Sequence, residues 1–406
     1  MKKLLVVSLA LLITGAFTVP AVAVDHEFGG YWRTRFFDNS DFSGQDDGSQ
    51  DVRKADTRTR IHYTAVLSDE LKLVNKFEMD ATWGDTVRGD IGADGQNFEV
   101  KHSYADFNLG EWNVKMGTQG KTFARGFLFD DDFTGLIVRY VGYDMVIPFI
   151  WMKAYEGGYG DDANDNDFDY YGLDPTFSMG DLKLNPFVMY MTSEDASAWS
   201  ATNANEAADV FFVGLNGDWS TDMLSVWVTG IYETGKVEMV GGDELDVAAY
   251  LFAAGASVNL DAMSVHGQFF YASGDDDEND DEANDYYVPK GRSYYWAEIM
   301  GYGVFDDQVS AGSPGDQISN IMAANVGVEF PLDKLTLGAD VWYAQLVEDN
   351  LDGDTDLGTE IDITVKYQLL DDLEVTAVAA YLMAGDATGG GDEDPMELGV
   401  QFALKF

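Results

Sequence analysis

The chain has 406 residues, no cysteine, and 72 Asp and Glu against 24 Lys and Arg, a formal net charge of −48. The missing thiols exclude a disulfide framework, thiolate metal sites and cysteine catalysis, and so large an acidic excess excludes nucleic-acid binding, which needs a basic patch. Acidity of this degree usually accompanies disorder, yet 14% of the residues are aromatic, so charges and rings must be segregated along the chain.

At the N-terminus, Lys2 and Lys3 precede a mostly apolar run from Leu4 to Thr18, and Pro20-Ala21-Val22-Ala23 supplies an A-x-A cleavage signal. A signal peptide over 1–23 and a mature domain over 24–406 are expected, the latter with a net charge of about −50. No later run reaches the roughly 18 continuous apolar residues of a membrane helix.

Beyond Val24 the dominant signal is alternation with a period of two. Arg58, Arg60 and His62 alternate with Thr59, Ile61 and Tyr63; Ile361, Ile363 and Val365 alternate with Glu360, Asp362 and Thr364; Leu398, Val400, Phe402, Leu404 and Phe406 do so at the end. Such a pattern fits a soluble sandwich with its apolar face inward or a membrane barrel with that face outward. Strand length and loop lengths favour the barrel. Predicted strands run 26–38, 56–67, 71–83, 97–109, 112–119, 133–142, 144–156, 167–179, 182–193, 207–219, 223–235, 244–259, 262–274, 318–330, 333–346, 356–369, 373–384 and 396–406. Very short connections, such as Gly110-Glu111, Gly180-Asp181 and Asp371-Asp372, alternate with long acidic ones at 39–55, 84–96, 120–132, 157–166, 194–206, 236–243, 275–317, 347–355 and 385–395. Short periplasmic turns opposite long outer loops are the outer-membrane pattern. The expectation is an all-β, transmembrane, antiparallel up-and-down barrel of about 18 strands, with about 16 as the alternative. Ser293 to Phe305 would make an odd strand and is left in the longest loop. Aromatic residues near strand ends, among them Trp32, Trp83, Trp112, Tyr140, Trp219 and Tyr343, fit interfacial girdles.

Gly30-Tyr31-Trp32-Arg33-Thr34-Arg35-Phe36-Phe37, Thr57-Arg58-Thr59-Arg60, Asn113-Val114-Lys115-Met116-Gly117 and the terminal Phe406 carry a resemblance. The chain resembles Gram-negative outer-membrane porins, and is similar to deltaproteobacterial porin-like proteins and to the 18-stranded alginate-export family. The resemblance implies a bacterial outer-membrane location among lipid and lipopolysaccharide, Phe406 as the signal read by the barrel-assembly machinery, and a monomer or homotrimer.

Charge is unevenly placed. Between Val24 and Tyr140 lie eight of the nine mature arginines, and inward parity collects Arg33, Arg35, Arg58, Arg60, Lys76, Lys115 and Arg139 as a pore-lining basic wall. Glu78 and Asp80, and on a distant strand Glu360 and Asp362, are the matching pore-lining acids. Two readings stand side by side. A transverse field would select solutes by charge, whereas pairing would merely hold strands in register. Loop 120–132, with Arg125 and Asp131, and loop 275–317, with Tyr295, Trp296 and Glu298, are candidate constrictions; the longer loop could equally lie over the barrel mouth as a lid. Asp349, Asp352, Asp354 and Asp356 have the oxygen-rich spacing of a Ca²⁺ loop without matching an EF-hand; otherwise no cofactor is expected.

The histidines, His26, His62, His102 and His266, have no nucleophile motif beside them, so no enzyme is expected. His102 lies on a strand whose phase the sequence leaves open. The expected function is a water-filled channel for passive diffusion of ions and small hydrophilic solutes. The alternatives are a specific channel for an anionic solute or polysaccharide, or a sheath around a partner such as an electron-transfer protein.

Overall fold

The computed structural model describes residues 24–406 apart from 88, 93–96, 143–144, 158–165, 195–197, 200–204, 277–279, 290 and 292–293; the expected signal peptide lies outside the described residues. The wall consists of β1 (Asp25–Ser40), β2 (Val52–Ser68), β3 (Leu71–Thr82), β4 (Asn97–Leu109), β5 (Trp112–Phe123), β6 (Phe129–Gly142) and β7 (Met145–Tyr155). It continues with β8 in two pieces (Phe168–Leu173 and Thr176–Met179), β9 (Leu182–Ser193), β10 (Asn205–Ser220), β11 (Leu224–Met239) and β12 (Glu244–Asn259). The remaining wall strands are β13 (Ser264–Ala272), β14 (Ile321–Leu332), β15 (Leu335–Leu346), β16 (Asp356–Leu370), β17 (Leu373–Ala384) and β18 (Met396–Lys405), and a two-residue strand, Glu282–Ala283, pairs parallel with β12. Neighbours in sequence pair antiparallel, and β18 returns to β1 from Ser40↔Met396 to Tyr31↔Lys405, closing an 18-stranded barrel.

Which face points outward decides between sandwich and membrane barrel. On β16, Ile361 and Ile363 are 38% and 43% exposed, whereas Glu360 and Asp362 between them are 0% and 6% exposed. Leu398 on β18, Phe211 and Val213 on β10, and Tyr250 and Phe252 on β12 are likewise exposed. A soluble protein would invert this arrangement, because exposed apolar area in water costs about 25 cal/mol per Å². The outward face is that of a transmembrane barrel, whose closure leaves no unpaired strand edge in lipid.

Glycine sets several local features. The two-residue turns at 110–111 and 180–181 begin with Gly110 (φ 63°) and Gly180 (φ 62°), the position at which a type II′ hairpin requires positive φ. At the seam, the Gly30 amide donates to the Phe406 carbonyl at 2.8 Å and the Phe406 amide returns to Gly30 at 3.3 Å. A Cβ on Gly30 would lie 2.3 Å from Phe406 Cζ, so the terminal ring occupies the space a side chain would need. β8 breaks at Asp174-Pro175, where proline lacks a ladder donor; the Asn185 amide bridges the gap by donating to both carbonyls at 2.9 Å.

Two expected loops differ. The first half of 236–243 is strand: Val237 and Met239 continue the alternation of β11, which ends at Met239, and β12 starts at Glu244. Residues 120–132 are the upper part of the β5–β6 hairpin, paired as far as Phe123↔Phe129. Segment 293–305 stays out of the wall among its described residues.

The apolar core lies inside the barrel. Ala208, Val210 and Phe212 of β10, Val247, Ala249, Leu251 and Ala253 of β12, Phe270 of β13, and Ile321 and Ala323 of β14 are buried. They are covered by Phe127 and Leu128 of the β5–β6 turn and by Tyr286, Ala297, Ile299 and Met300 of the β13–β14 loop. The chain's own loops therefore fill the lumen against one side of the wall.

Candidate functional site

Two elements fold inward. The first is the β5–β6 hairpin. Its lower part has neighbours on both sides, but pairing with β4 stops at Ser103↔Thr118 and pairing with β7 at Thr134↔Lys153. Just below these limits Gly117 and Gly135 face each other across the hairpin. A Cβ on Gly117 would sit 2.3 Å from the Ser103 carbonyl oxygen, and one on Gly135 would sit 2.0 Å from that of Trp151. Paired glycines let the strands bend away from their neighbours, and the freed tip crosses the lumen. There the Phe127 ring stacks on Tyr294 at 3.9 Å between centroids and tilts against Phe270 at 5.8 Å. The guanidinium of Arg125, itself at φ 63°, donates to Asp218 at 2.6 Å and to Thr229 at 3.1 Å, and lies 4.9 Å over the Trp227 ring. Two adjacent non-glycine residues with left-handed φ, Ala124 and Arg125, persist only where surrounding contacts dictate them.

The second element is the β13–β14 loop. Glu360 accepts the amides of Ile299 at 2.6 Å and Met300 at 2.9 Å. Glu298 accepts the Val304 amide at 2.6 Å, and burial pushes its carboxyl up to about 7. Trp296 packs edge-on against Trp342 and Phe270, and Phe305 stacks on Phe37 at 5.2 Å. Of the two positions open for this loop, the structure has the one inside the lumen, joined to the hairpin tip through Tyr286, whose hydroxyl donates to the Phe127 carbonyl at 3.1 Å.

The basic residues lie on the wall that these loops leave uncovered, except at Arg33 and Arg35, which the longer loop reaches through Asp306. Strand tilt in a closed barrel turns in-register neighbours into a descending diagonal. Arg33 pairs with Arg58, Arg60 with Glu78, His62 with Lys76, Lys76 with His102, and further round Asn113 with Arg139. The series runs from Arg35, near the long-loop end of β1, to Arg139, near the short-turn end of β6. A bulge explains the uncertain phase of His102: Lys76 pairs with His102 but Phe77 with Val100, leaving Lys101 as the extra residue. Lys101 and His102 thereby reach the same carboxylate, Asp132, at 3.0 and 2.8 Å.

Most of these cations are paired. Arg58 donates to Asp80 through Nε at 2.8 Å and Nη2 at 2.6 Å, Arg60 binds Glu78, and Arg35 forks onto Asp56 at 2.9 and 2.5 Å. Arg139 donates twice to Asn113, and Lys115 lies 3.8 Å from Asp106. Pairing and a cavity-facing position coexist. Arg58, Arg60, Lys76, Glu78, Asp80, Lys101, His102, Lys121, Arg125, Asp131 and Tyr295 line one cavity of about 870 Å³. Arg33 and Arg35 line a smaller one of about 210 Å³ beside it, and Lys115 and Arg139 one of about 280 Å³.

The inward acids of β16 have another place than open water. Glu360 is wholly buried and seats the loop, a role that alternation alone does not reveal; Asp362 faces a separate cavity of about 350 Å³ with Trp227, Trp296, Glu298 and Trp342. Among the described residues no three carboxylates converge as a metal cage. In the turn that carries Asp349, Asp352, Asp354 and Asp356, the side-chain oxygen of Asn350 accepts the amides of Asp352 and Asp354 at 3.0 and 2.9 Å.

No protein-family model matches the chain, and no curated protein does. Among solved structures the chain is similar to Pseudomonas aeruginosa OccK8 (OprE), at 14% identity and a TM-score of 0.60, covering 94% of this chain and 98% of that one. It is similar to Acinetobacter baumannii OccAB3 at 11% identity and a TM-score of 0.60, over 94% of this chain and 100% of that one. The outer membrane protein OprD from Pseudomonas aeruginosa follows at 12% identity and a TM-score of 0.56, over 96% of both chains. At these identities the likeness is one of fold: the chain has the architecture of an outer-membrane barrel.

Proposed function

We propose that this barrel sits in a bacterial outer membrane as a water-filled channel for ions and small hydrophilic solutes, narrowed by its own inward-folded hairpin and loop. The observation that carries the reading is the cavity of about 870 Å³ held open between the basic diagonal and the loop tips, lined by charged groups rather than apolar ones. Such a lining keeps water in the passage and presents fixed charge to whatever crosses it. Loops packed into the lumen also leave no bore for a threaded protein, which counts against the sheath. The structural neighbours, among them OprD, point the same way.

The basic diagonal favours a second, narrower reading: selection of small anionic solutes, with guanidinium forks handing a carboxylate from rung to rung. The resemblance to alginate-export barrels and to deltaproteobacterial porin-like proteins belongs with this reading.

Single-channel recording of purified protein in asymmetric KCl tests both. A conducting barrel supports the channel. A reversal potential that moves toward cation preference when Arg33, Arg35, Arg58 and Arg60 are replaced by Ala supports the anionic reading. A barrel that carries no current refutes the first, and unchanged selectivity in the quadruple variant refutes the second.

A further inference from the structure

The top of the basic diagonal is already occupied. Asp306, from the inward loop, reaches the Arg33 guanidinium at 3.2 Å and bonds that of Arg35, and the next residue, Asp307, bonds Lys54 at 2.5 Å. Bringing Asp306 there requires left-handed backbone at three nearby positions: Tyr302 at φ 72°, Gly303 at φ 33° and Asp306 itself at φ 36°. Strained residues of this kind persist only when surrounding contacts dictate them. The phenyl ring of Phe305, fully buried against Phe37, and the Phe305 carbonyl bonded by Arg35 supply those contacts.

The arginines themselves are incompletely satisfied. Arg33 is 9% exposed, and its Nε has no hydrogen-bond partner among the described residues. A buried guanidinium N–H without an acceptor destabilises the folded arrangement, and the side chain adjoins the cavity of about 210 Å³ lined by Arg33, Arg35, Lys54, Arg58, Asp80 and Asp306. A solute carboxylate in that cavity would meet the same guanidinium groups that Asp306 holds.

We propose that Asp306 is a specificity-determining residue: a tethered carboxylate that competes with solute carboxylates for Arg33 and Arg35 and so sets how readily anions enter the diagonal. The inference rests on the channel reading above. A site available only part of the time has its apparent affinity reduced by that fraction, so removing the competitor favours anions specifically and leaves cations without the same gain.

The test is the permeability ratio of acetate to potassium, from reversal potentials across a potassium acetate gradient in planar bilayers. Wild type, Asp306→Asn and Asp306→Glu are compared, each confirmed as folded by its heat-modifiable gel mobility. Asp306→Asn should raise the ratio several-fold, and Asp306→Glu, which keeps the charge, should stay near wild type. If Asp306→Asn leaves the ratio unchanged while total conductance rises, the residue only seats the loop and the proposal falls. A shift toward potassium also overturns it. A wild-type barrel with no current overturns the channel reading and this inference with it; a conducting barrel with an unmoved ratio overturns this inference alone.

Discussion

Replacing Phe127 by Ala probes the proposed constriction most directly, because this side chain joins the two inward elements. The ring is fully buried, stacked on Tyr294 at 3.9 Å, with Phe270 at 5.8 Å and Trp227 at 6.3 Å. Truncating a core phenylalanine to alanine costs about 3–5 kcal/mol. No wall hydrogen bond involves this residue, since the hairpin ladder ends at Phe123↔Phe129. The loss therefore falls on the seating of the tip and not on the barrel. At about 1.4 kcal/mol per decade, the population with the tip unseated should rise roughly 100-fold to 1,000-fold or more. Single-channel recordings should then show larger or noisier conductance, the tip should become cleavable by protease, and heat-modifiable mobility should stay at the wild-type temperature. Unchanged conductance together with a still-protected tip would mean that the packing inside the lumen is not what holds the constriction, and the reasoning would be refuted.

Three further outcomes follow from the same geometry. Glu360→Leu strands the buried amides of Ile299 and Met300, at about 1–3 kcal/mol for each unsatisfied group; hydrogen exchange at 296–305 should accelerate while the wall strands stay protected, and equal acceleration everywhere would refute a local anchor. Glu298 has a carboxyl raised by burial from 4.5 to about 7, so the seated loop binds protons that a released loop does not. Seating should be strongest in acid and weaken as pH rises through about 7; protease protection of the loop across that window checks it, and a profile identical in Glu298→Gln would exclude this carboxyl as the cause. Gly30→Val puts a Cβ 2.3 Å from Phe406 Cζ and 2.6 Å from the Arg60 carbonyl oxygen, whereas a Cβ on Gly29 has 3.2 Å to the Phe406 oxygen. The yield of heat-modifiable barrel should drop for Gly30→Val and much less for Gly29→Ala, and equal yields would show that the terminal ring does not need the notch.

The barrel was legible because two independent signals agree: a period of two along many of the strands, and turns whose lengths alternate. Strands such as 97–109, 182–193, 244–259 and 373–384 are placed to the residue by these signals. The site was legible only in part. Inward parity finds Arg33, Arg35, Arg58 and Arg60, since their neighbours are outward-facing. It fails at β4, because one extra residue at Lys101 reverses the phase above it, and no local propensity marks a bulge there. It fails again for the hairpin: Gly120 and Lys121 interrupt the apolar alternation and resemble loop, although the ladder continues to Phe123. The usable signal was Gly117 and Gly135, two glycines within otherwise regular strands, where a close approach of backbone is the common cause. Inward apolar residues on β12 were also hidden, because a run such as Val247-Ala248-Ala249-Tyr250-Leu251 has no polar face to betray which side meets water.

That last failure bears on why the basic residues are crowded into the first six strands. An 18-stranded barrel encloses more space than side chains alone can fill, so a stretch of lumen wall is either hydrated or covered by loops. Wall that is covered can be apolar, as on β10, β12 and β13, and its few carboxylates, such as Glu233 and Glu360, are buried and bound to loop amides. Wall that faces a cavity needs fixed polar groups, and on β1 to β6 these are arginines and lysines with partners drawn from adjacent strands and, for Arg33, Arg35 and Lys54, from Asp306 and Asp307 of the inward loop. The uneven distribution of charge along the sequence and the one-sided packing of the loops are therefore the same fact. Moving an arginine such as Arg58 to the inward face of β12 would bury it among Val247, Leu251 and Ala253, whereas moving Leu251 to the place of Arg58 would leave a leucine facing the charged cavity. The position of a strand around the barrel, more than its local sequence, decides which of these two environments its inner face must match.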